Sequence, residues 1–225
     1  YDKHLAAAYS NIALLYSEAG YSEEALAYAQ KSYDIKRKYY GEDDLYMSYD
    51  YNMFGAIYFE LGYNDRALEY MHKSLKIRTE VFGENHPCSA VLYNNLGSVY
   101  NAIGDADKAL HYHFKALSAW KTTLGNEHDR VAASYANISN VYRNLKNYDA
   151  ALDYLFLRLN IIKSTFGETH TITAAVYNNI GTIYLENSEL DNALDYMLKA
   201  LDIYKVVLGE DSNSLYLIYN NVGWV

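Results

Sequence analysis

Three histidines, His86, His128 and His170, recur at steps of 42 residues, and the first lies two positions before the only cysteine, Cys88. Evenly spaced imidazoles suggest a zinc site, and a thiol beside an imidazole suggests a nucleophile with its base. The spacing argues against both. Equivalent atoms of stacked helical units lie about one helix-packing distance apart, ~10 Å, whereas zinc ligands each sit ~2 Å from the ion. The repetition of His86 as His128 and His170 gives it a structural task, capping a helix and touching the next unit. His111 and His113 are two apart on a helix and point to different faces. Asp43-Asp44 reads as a solvated loop pair. There is no phosphate loop, no Gly-x-Ser-x-Gly and no His-Glu-x-x-His. No catalytic residue, metal or cofactor is expected within this chain.

The step of 42 is more general than the histidines. Ala25-Leu26, Ala67-Leu68, Ala109-Leu110, Ala151-Leu152 and Ala193-Leu194 keep it, as do Gly41, Gly83, Gly125, Gly167 and Gly209. Such a strict register marks a stacked array, each unit burying its apolar face against its neighbours. The expected repeats are 3–44, 45–86, 87–128, 129–170 and 171–212, with a partial one at 213–225, forming a single array over 1–225. Residue 1 falls just before a first helix and Val225 in mid-helix, so the chain reads as a piece of a longer protein.

In the third unit, Tyr93, Leu96, Gly97 and Tyr100 mark one face of a helix opened by Pro87. Ile103-Gly104-Asp105 breaks it, and Ala109, Tyr112, Ala116 and Leu117 mark a second helix ending near Leu124. These are helix A and helix B of the repeat. Gly125 and its equivalents read as left-handed helix stops. Ala13, Gly55, Gly97, Ser139, Gly181 and Gly223 share one helix A position facing an Ala of helix B, as close approach of the two helices requires. The fold class is all-α, a solenoid of helix-turn-helix units.

Helix A is nearly free of charge: segment 87–103 has none, and segment 45–61 has only Asp50 and Glu60. Asparagines stand there instead. Asn11, Asn95, Asn137, Asn179 and Asn221 share one position, with Asn52, Asn94, Asn178 and Asn220 just before it. An asparagine amide complements a peptide unit's own N–H and C=O, so such a ladder can hold an extended chain without reading its sequence. It can equally bond neighbouring helices and hold register. Selectivity would come from two variable positions, one occupied by Leu14, Ala56, Ser98, Asn140, Thr182 and Trp224, the other by Ser17, Phe59, Asn101, Arg143 and Leu185.

The tyrosine, turn glycine and alanine spacing resembles the tetratricopeptide repeat. The 42-residue length and the strings Asn94 to Gly97 and Gly83 to Pro87 are most similar to its kinesin light chain type. The resemblance implies a right-handed superhelix whose helix A faces line a groove for peptides or partner proteins. It also implies peptide contact at Asn95, Asn137 and Asn179. With Asn52, Asn94, Asn101, Asn140, Arg143 and Asn178, these are the candidate binding residues. Members that clamp acidic peptides use Lys and Arg on helix A, where this chain has only Lys3, Arg130 and Arg143.

With 19 basic and 28 acidic residues the net charge is −9, which disfavours nucleic acid and anionic membranes. A protein or peptide partner, neutral or basic rather than acidic, fits better. The function expected is a scaffold or adaptor; the alternative is a regulatory arm controlling an attached or associated catalytic domain, such as a protease, of its own chain or complex. One cysteine permits no intrachain disulfide, and a cytoplasmic location is expected. Three departures stand out: Met53 interrupts the ladder, ending the peptide track or, as expected, filling an apolar gap; Arg158 replaces a small helix B residue and must pair with an acid, open the contact between the fourth and fifth repeats or, as expected, snorkel; and tyrosine is abundant at 27 residues. The in-step tyrosines, Tyr9, Tyr51, Tyr93, Tyr135, Tyr177 and Tyr219, read as packing, whereas Tyr46 and Tyr216 are contact candidates.

Overall fold

The computed structural model describes residues 2–209 and, beyond them, Gly223. The partial sixth repeat, with Tyr216, Tyr219, Asn220, Asn221 and Trp224, lies outside the described residues. Described residues form ten helices and no strand: α1 Asp2–Glu18, α2 Ser22–Tyr40, α3 Leu45–Glu60, α4 Asn64–Phe82, α5 Pro87–Ala102, α6 Ala106–Leu124, α7 Asp129–Asn144, α8 Tyr148–Phe166, α9 Thr171–Glu186 and α10 Leu190–Leu208. Odd helices are A and even helices B. Packing divides the chain into two compact units, Tyr1–Ala119 and Trp120–Val225. In the first, α1 packs on α2 and α3 on α4, with α2 on α3 and α4 on α5; in the second, α7 packs on α8, α8 on α9 and α9 on α10.

Every A-to-B turn closes with the same two bonds. In the first, Tyr21 N–H donates to Tyr16 C=O at 2.8 Å and Gly20 N–H to Ser17 C=O at 2.9 Å. This is the Schellman pairing, which requires a left-handed residue between. Gly20, Gly62 and Gly104 supply it, but Lys146 and Ser188 adopt it with φ 58° and 63°. The second glycine series behaves differently from the left-handed stop its position suggests. Gly83 has φ 87° but ψ 166°, a region open essentially to glycine alone, because the chain must extend at once into the cap of the next helix A rather than curl back.

The shared small position of helix A is explained by what lies opposite. A Cβ on Gly55 would sit 2.5 Å from Met71 Cγ, and one on Gly181 2.7 Å from Met197 Cγ. Ala67 C=O and Ala193 C=O lie within 3.3 Å and 3.1 Å of the same points. Ser139 instead donates its hydroxyl to Ala151 C=O at 2.8 Å. The helices do approach closely at the alanine, and the long helix B side chain one turn on fills the space a Cβ would need. Each repeat also stacks a tyrosine of A on one of B. The pairs Tyr16–Tyr28, Tyr58–Tyr70, Tyr100–Tyr112, Tyr142–Tyr154 and Tyr184–Tyr196 have centroids 5.4 to 5.7 Å apart. Tyr51, Tyr93 and Tyr135 are buried beside them, as expected of packing residues.

Candidate functional site

The periodic histidines are helix caps. Nδ1 of His86, His128 and His170 accepts the N–H of Cys88, Arg130 and Ile172, each at 3.1 Å. Asp44 does the same for α3, its Oδ1 accepting Tyr46 N–H at 2.8 Å. The first-turn N–H groups have no partner inside their own helix, so an acceptor two residues earlier satisfies one of them. Phe82 and Phe166 hold the His86 and His170 rings at centroid distances of 4.5 and 4.9 Å. The ring of His86 thus serves the backbone of Cys88. Among the described residues no three His, Cys, Asp or Glu side chains gather as a metal site would require.

The asparagines divide by location. In the first unit Asn95 donates its amide to Asn52 Oδ1 at 3.2 Å, joining α5 to α3, so register-holding is one task of the ladder. Asn52, Asn94, Asn95 and Asn101 are half-buried. In the second unit Asn137 and Asn178 are half-buried, while Asn140 and Asn179 are exposed. These last two and Arg143 come together. With Arg158 and Thr182 they line a cavity of about 210 Å³ between α7, α8 and α9, floored by Leu155 and Ile183.

The electrostatics of this cavity are uneven. Arg143 is held by Glu186 through a two-bond contact, Nε to Oε2 at 2.8 Å and Nη2 to Oε1, so its charge is matched. Arg158 makes no ion pair among the described residues, and its Nε is buried without a hydrogen-bond partner. Burial pushes the Arg158 guanidinium below its ordinary value. It therefore lines the cavity rather than pairing with an acid. Asparagine amides and a guanidinium make the site richer in donors than in acceptors, which suits a carbonyl or carboxylate oxygen.

Three side chains with buried, unpartnered polar atoms fall outside the asparagine ladder, and only Arg158 stands out in the sequence as a departure. Arg158 lies outside the polar ladder, on helix B, and its signal is that it alone replaces Ser32, Ser74, Ala116 and Ala200. Asp50 is an acid at a position held elsewhere by Ala8, Leu92, Ser134 and Val176. His113, 1% exposed, packs its ring against Gly97. Tyr46, a contact candidate, is exposed, with its ring tilted against that of Tyr40 at a centroid distance of 4.6 Å.

No helix among the described residues is long and apolar enough to cross a membrane. No curated protein sequence matches the chain. Solved structures share its fold. BtubC (BKLC) from P. vanneervenii is 21% identical over 94% of this chain and 84% of its own, with TM-score 0.79. A Podosopora anserina protein described as a kinesin light chain with nearly identical TPR-like repeats is 18% identical over 94% and 99%, with TM-score 0.79. RapI in its apo form is 17% identical over 97% and 82%, with TM-score 0.75. Tetratricopeptide repeat family models match residues 4–70, 47–121 and 89–155, and a further one 173–214. The helix pairs, their Schellman turns and these matches agree: the chain belongs to the tetratricopeptide repeat family, whose members are in general protein–protein interaction modules and typically non-catalytic scaffolds.

Proposed function

We propose that this chain is a scaffold or adaptor that holds an extended segment of a partner protein along its helix A faces. The observation that carries the reading is the cavity of the second unit, where Asn140, Arg143 and Asn179 meet beside a guanidinium whose Nε has no partner. A buried donor left unmade costs about 1–3 kcal/mol, and a main-chain carbonyl of a bound segment recovers it. Asn140 and Asn179 are exposed and so present amides that meet both the N–H and the C=O of an extended chain. Their grip is on backbone and tolerates many side chains. Arg143 is neutralised by Glu186, and the chain carries −9 overall, which favours a neutral or basic segment.

Panning an unbiased linear-peptide library against the purified chain tests this, with the Asn95, Asn137 and Asn179 triple alanine variant, checked for helicity, as the control. Peptides enriched on the parent and lost on the folded variant are expected. No enrichment on a well-folded parent overturns the groove reading and moves the weight to a folded-domain partner, as a regulatory arm would have.

A further inference from the structure

Asp50, on α3, is 1% exposed. Lys36 Nζ lies 2.7 Å from its Oδ1 and also donates to Ser10 Oγ at 2.9 Å, and Ser10 Oγ is 2.7 Å from Ser32 Oγ. One carboxylate oxygen is therefore satisfied. The other, Oδ2, is buried with no hydrogen-bond partner. Desolvation pushes the Asp50 carboxyl up, with Lys36, Ser32 and Ser10 pulling it back. An acid has replaced the small or apolar residue of the other repeats at a place where half of it goes unserved.

That acid lines a cavity of about 360 Å³ within the first unit, between α1, α2 and α3. The volume falls at the low end of ligand pockets, ~300–1,000 Å³. Leu14, Met53, Ala56 and Ile57 form its apolar wall, and Asn11 and Asn52 stand on its polar side. Leu14 is 53% exposed, an apolar face with no cover. Met53, which breaks the asparagine ladder, is thus part of a pocket wall rather than filler inside the core.

The occupant follows from the charge. Lys36 already balances Asp50, so a second ammonium or guanidinium at Oδ2 would face Lys36 with like charge across one carboxylate. A neutral donor meets no such repulsion. The apolar wall adds a demand for a hydrophobic group beside that donor. We infer that this cavity is a specificity pocket for one apolar residue of a partner segment, with Asp50 Oδ2 accepting that residue's main-chain N–H. The inference rests on the reading of helix A as a peptide-holding surface, and it adds a selective position to a groove whose asparagines grip backbone alone.

The test needs no natural partner. Two probes are titrated into the chain: N-acetyl-leucine dimethylamide, which carries one N–H, and its N-methyl form, which carries none. The Met53 methyl and Asp50 carboxyl carbon NMR signals are followed. Saturable shifts of both signals are expected with the first probe, and binding about tenfold weaker or more with the second, the size of one hydrogen bond to a charged acceptor. Asp50→Asn, which keeps the shape and an oxygen for Lys36, should remove the difference between probes; Asp50→Leu, with the residue found at Leu92, is the second variant should the first fail to fold. Equal binding of the two probes, or no saturable shift on folded parent, overturns the pocket. Because this readout is independent of the peptide library, the pocket can fail while the groove stands, and the reverse.

Discussion

Protonation of one buried histidine should set much of the acid sensitivity of this fold. His113 is 1% exposed, and its ring lies 2.7 to 2.8 Å from where a Gly97 Cβ would be. Its Nδ1 has no partner. Burial pushes its pKa from 6.5 down to about 4. The unfolded chain therefore binds a proton that the folded chain refuses between these two values, so stability is complete above pH 6.5 and falls as pH drops toward 4. With about 1.4 kcal/mol per pKa unit, the full loss is about 3 kcal/mol, of which about 2 kcal/mol is spent between pH 7.5 and pH 5. His113→Met removes the titration, and methionine fits because Met71 and Met197 occupy this position opposite Gly55 and Gly181. Urea unfolding of parent and variant at pH 7.5 and 5.0 measures it. His72, also lowered by burial, and Asp50 are present in both proteins and cancel. The variant should lose about 2 kcal/mol less than the parent on acidification. An equal loss in the two would refute the assignment of the proton to His113.

The same packing makes Gly97→Ala destabilising by about 1–3 kcal/mol through overpacking, and adding His113→Ala, which recreates the Ala13–Ala29 pairing of the first repeat, should restore part of the thermal midpoint. At the left-handed turn positions Lys146→Gly and Ser188→Gly should each stabilise by about 0.5–1 kcal/mol, the left-handed penalty less the entropy of glycine, while Gly104→Lys should cost about as much; denaturant midpoints decide. Lys36→Ala strands the Asp50 carboxylate and should cost about 3 kcal/mol near neutral pH. Since the carboxyl is raised further without Lys36, the folded state then holds a proton the unfolded chain releases, and the variant should recover stability relative to parent as pH falls from 7 to 5.

Helix limits and packing faces were legible because they repeat. A break at Ile103-Gly104-Asp105 means little once, but its return at 42-residue steps ties each residue to a place on a helix. The asparagines and Arg143 were legible as helix A positions for the same reason. Their partners were not, since a side chain's bond depends on which neighbour the stacking brings within reach. The structure shows a simple rule for this. Ser17 reaches Glu60, Asn95 reaches Asn52 and Arg143 reaches Glu186, and each pair is 43 apart, one repeat plus one residue. Adjacent A helices are offset so that a side chain meets not its own equivalent but the next residue along, and a ladder of equivalents therefore bonds diagonally.

The residues whose surroundings went unread have the opposite character, being departures from the repeat rather than members of it, and of them only Arg158 stands out in the sequence as a departure. Asp50, His113 and Arg158 each put a polar group where the other repeats keep an apolar or small one, and a template built on recurrence treats such a residue as noise. Physically it is the reverse. An array whose units share their packing can tolerate a buried polar atom only at a cost of about 1–3 kcal/mol, and in all three cases an atom of that residue is left without a partner. For His113 the glycine opposite accounts for the burial, because the ring fills the space that Met71 and Met197 fill elsewhere. For Asp50 and Arg158 packing gives no such account. Each lines a cavity walled in part by A helices of its own unit, one short of a donor and the other of an acceptor, and recognition of a bound chain would supply both.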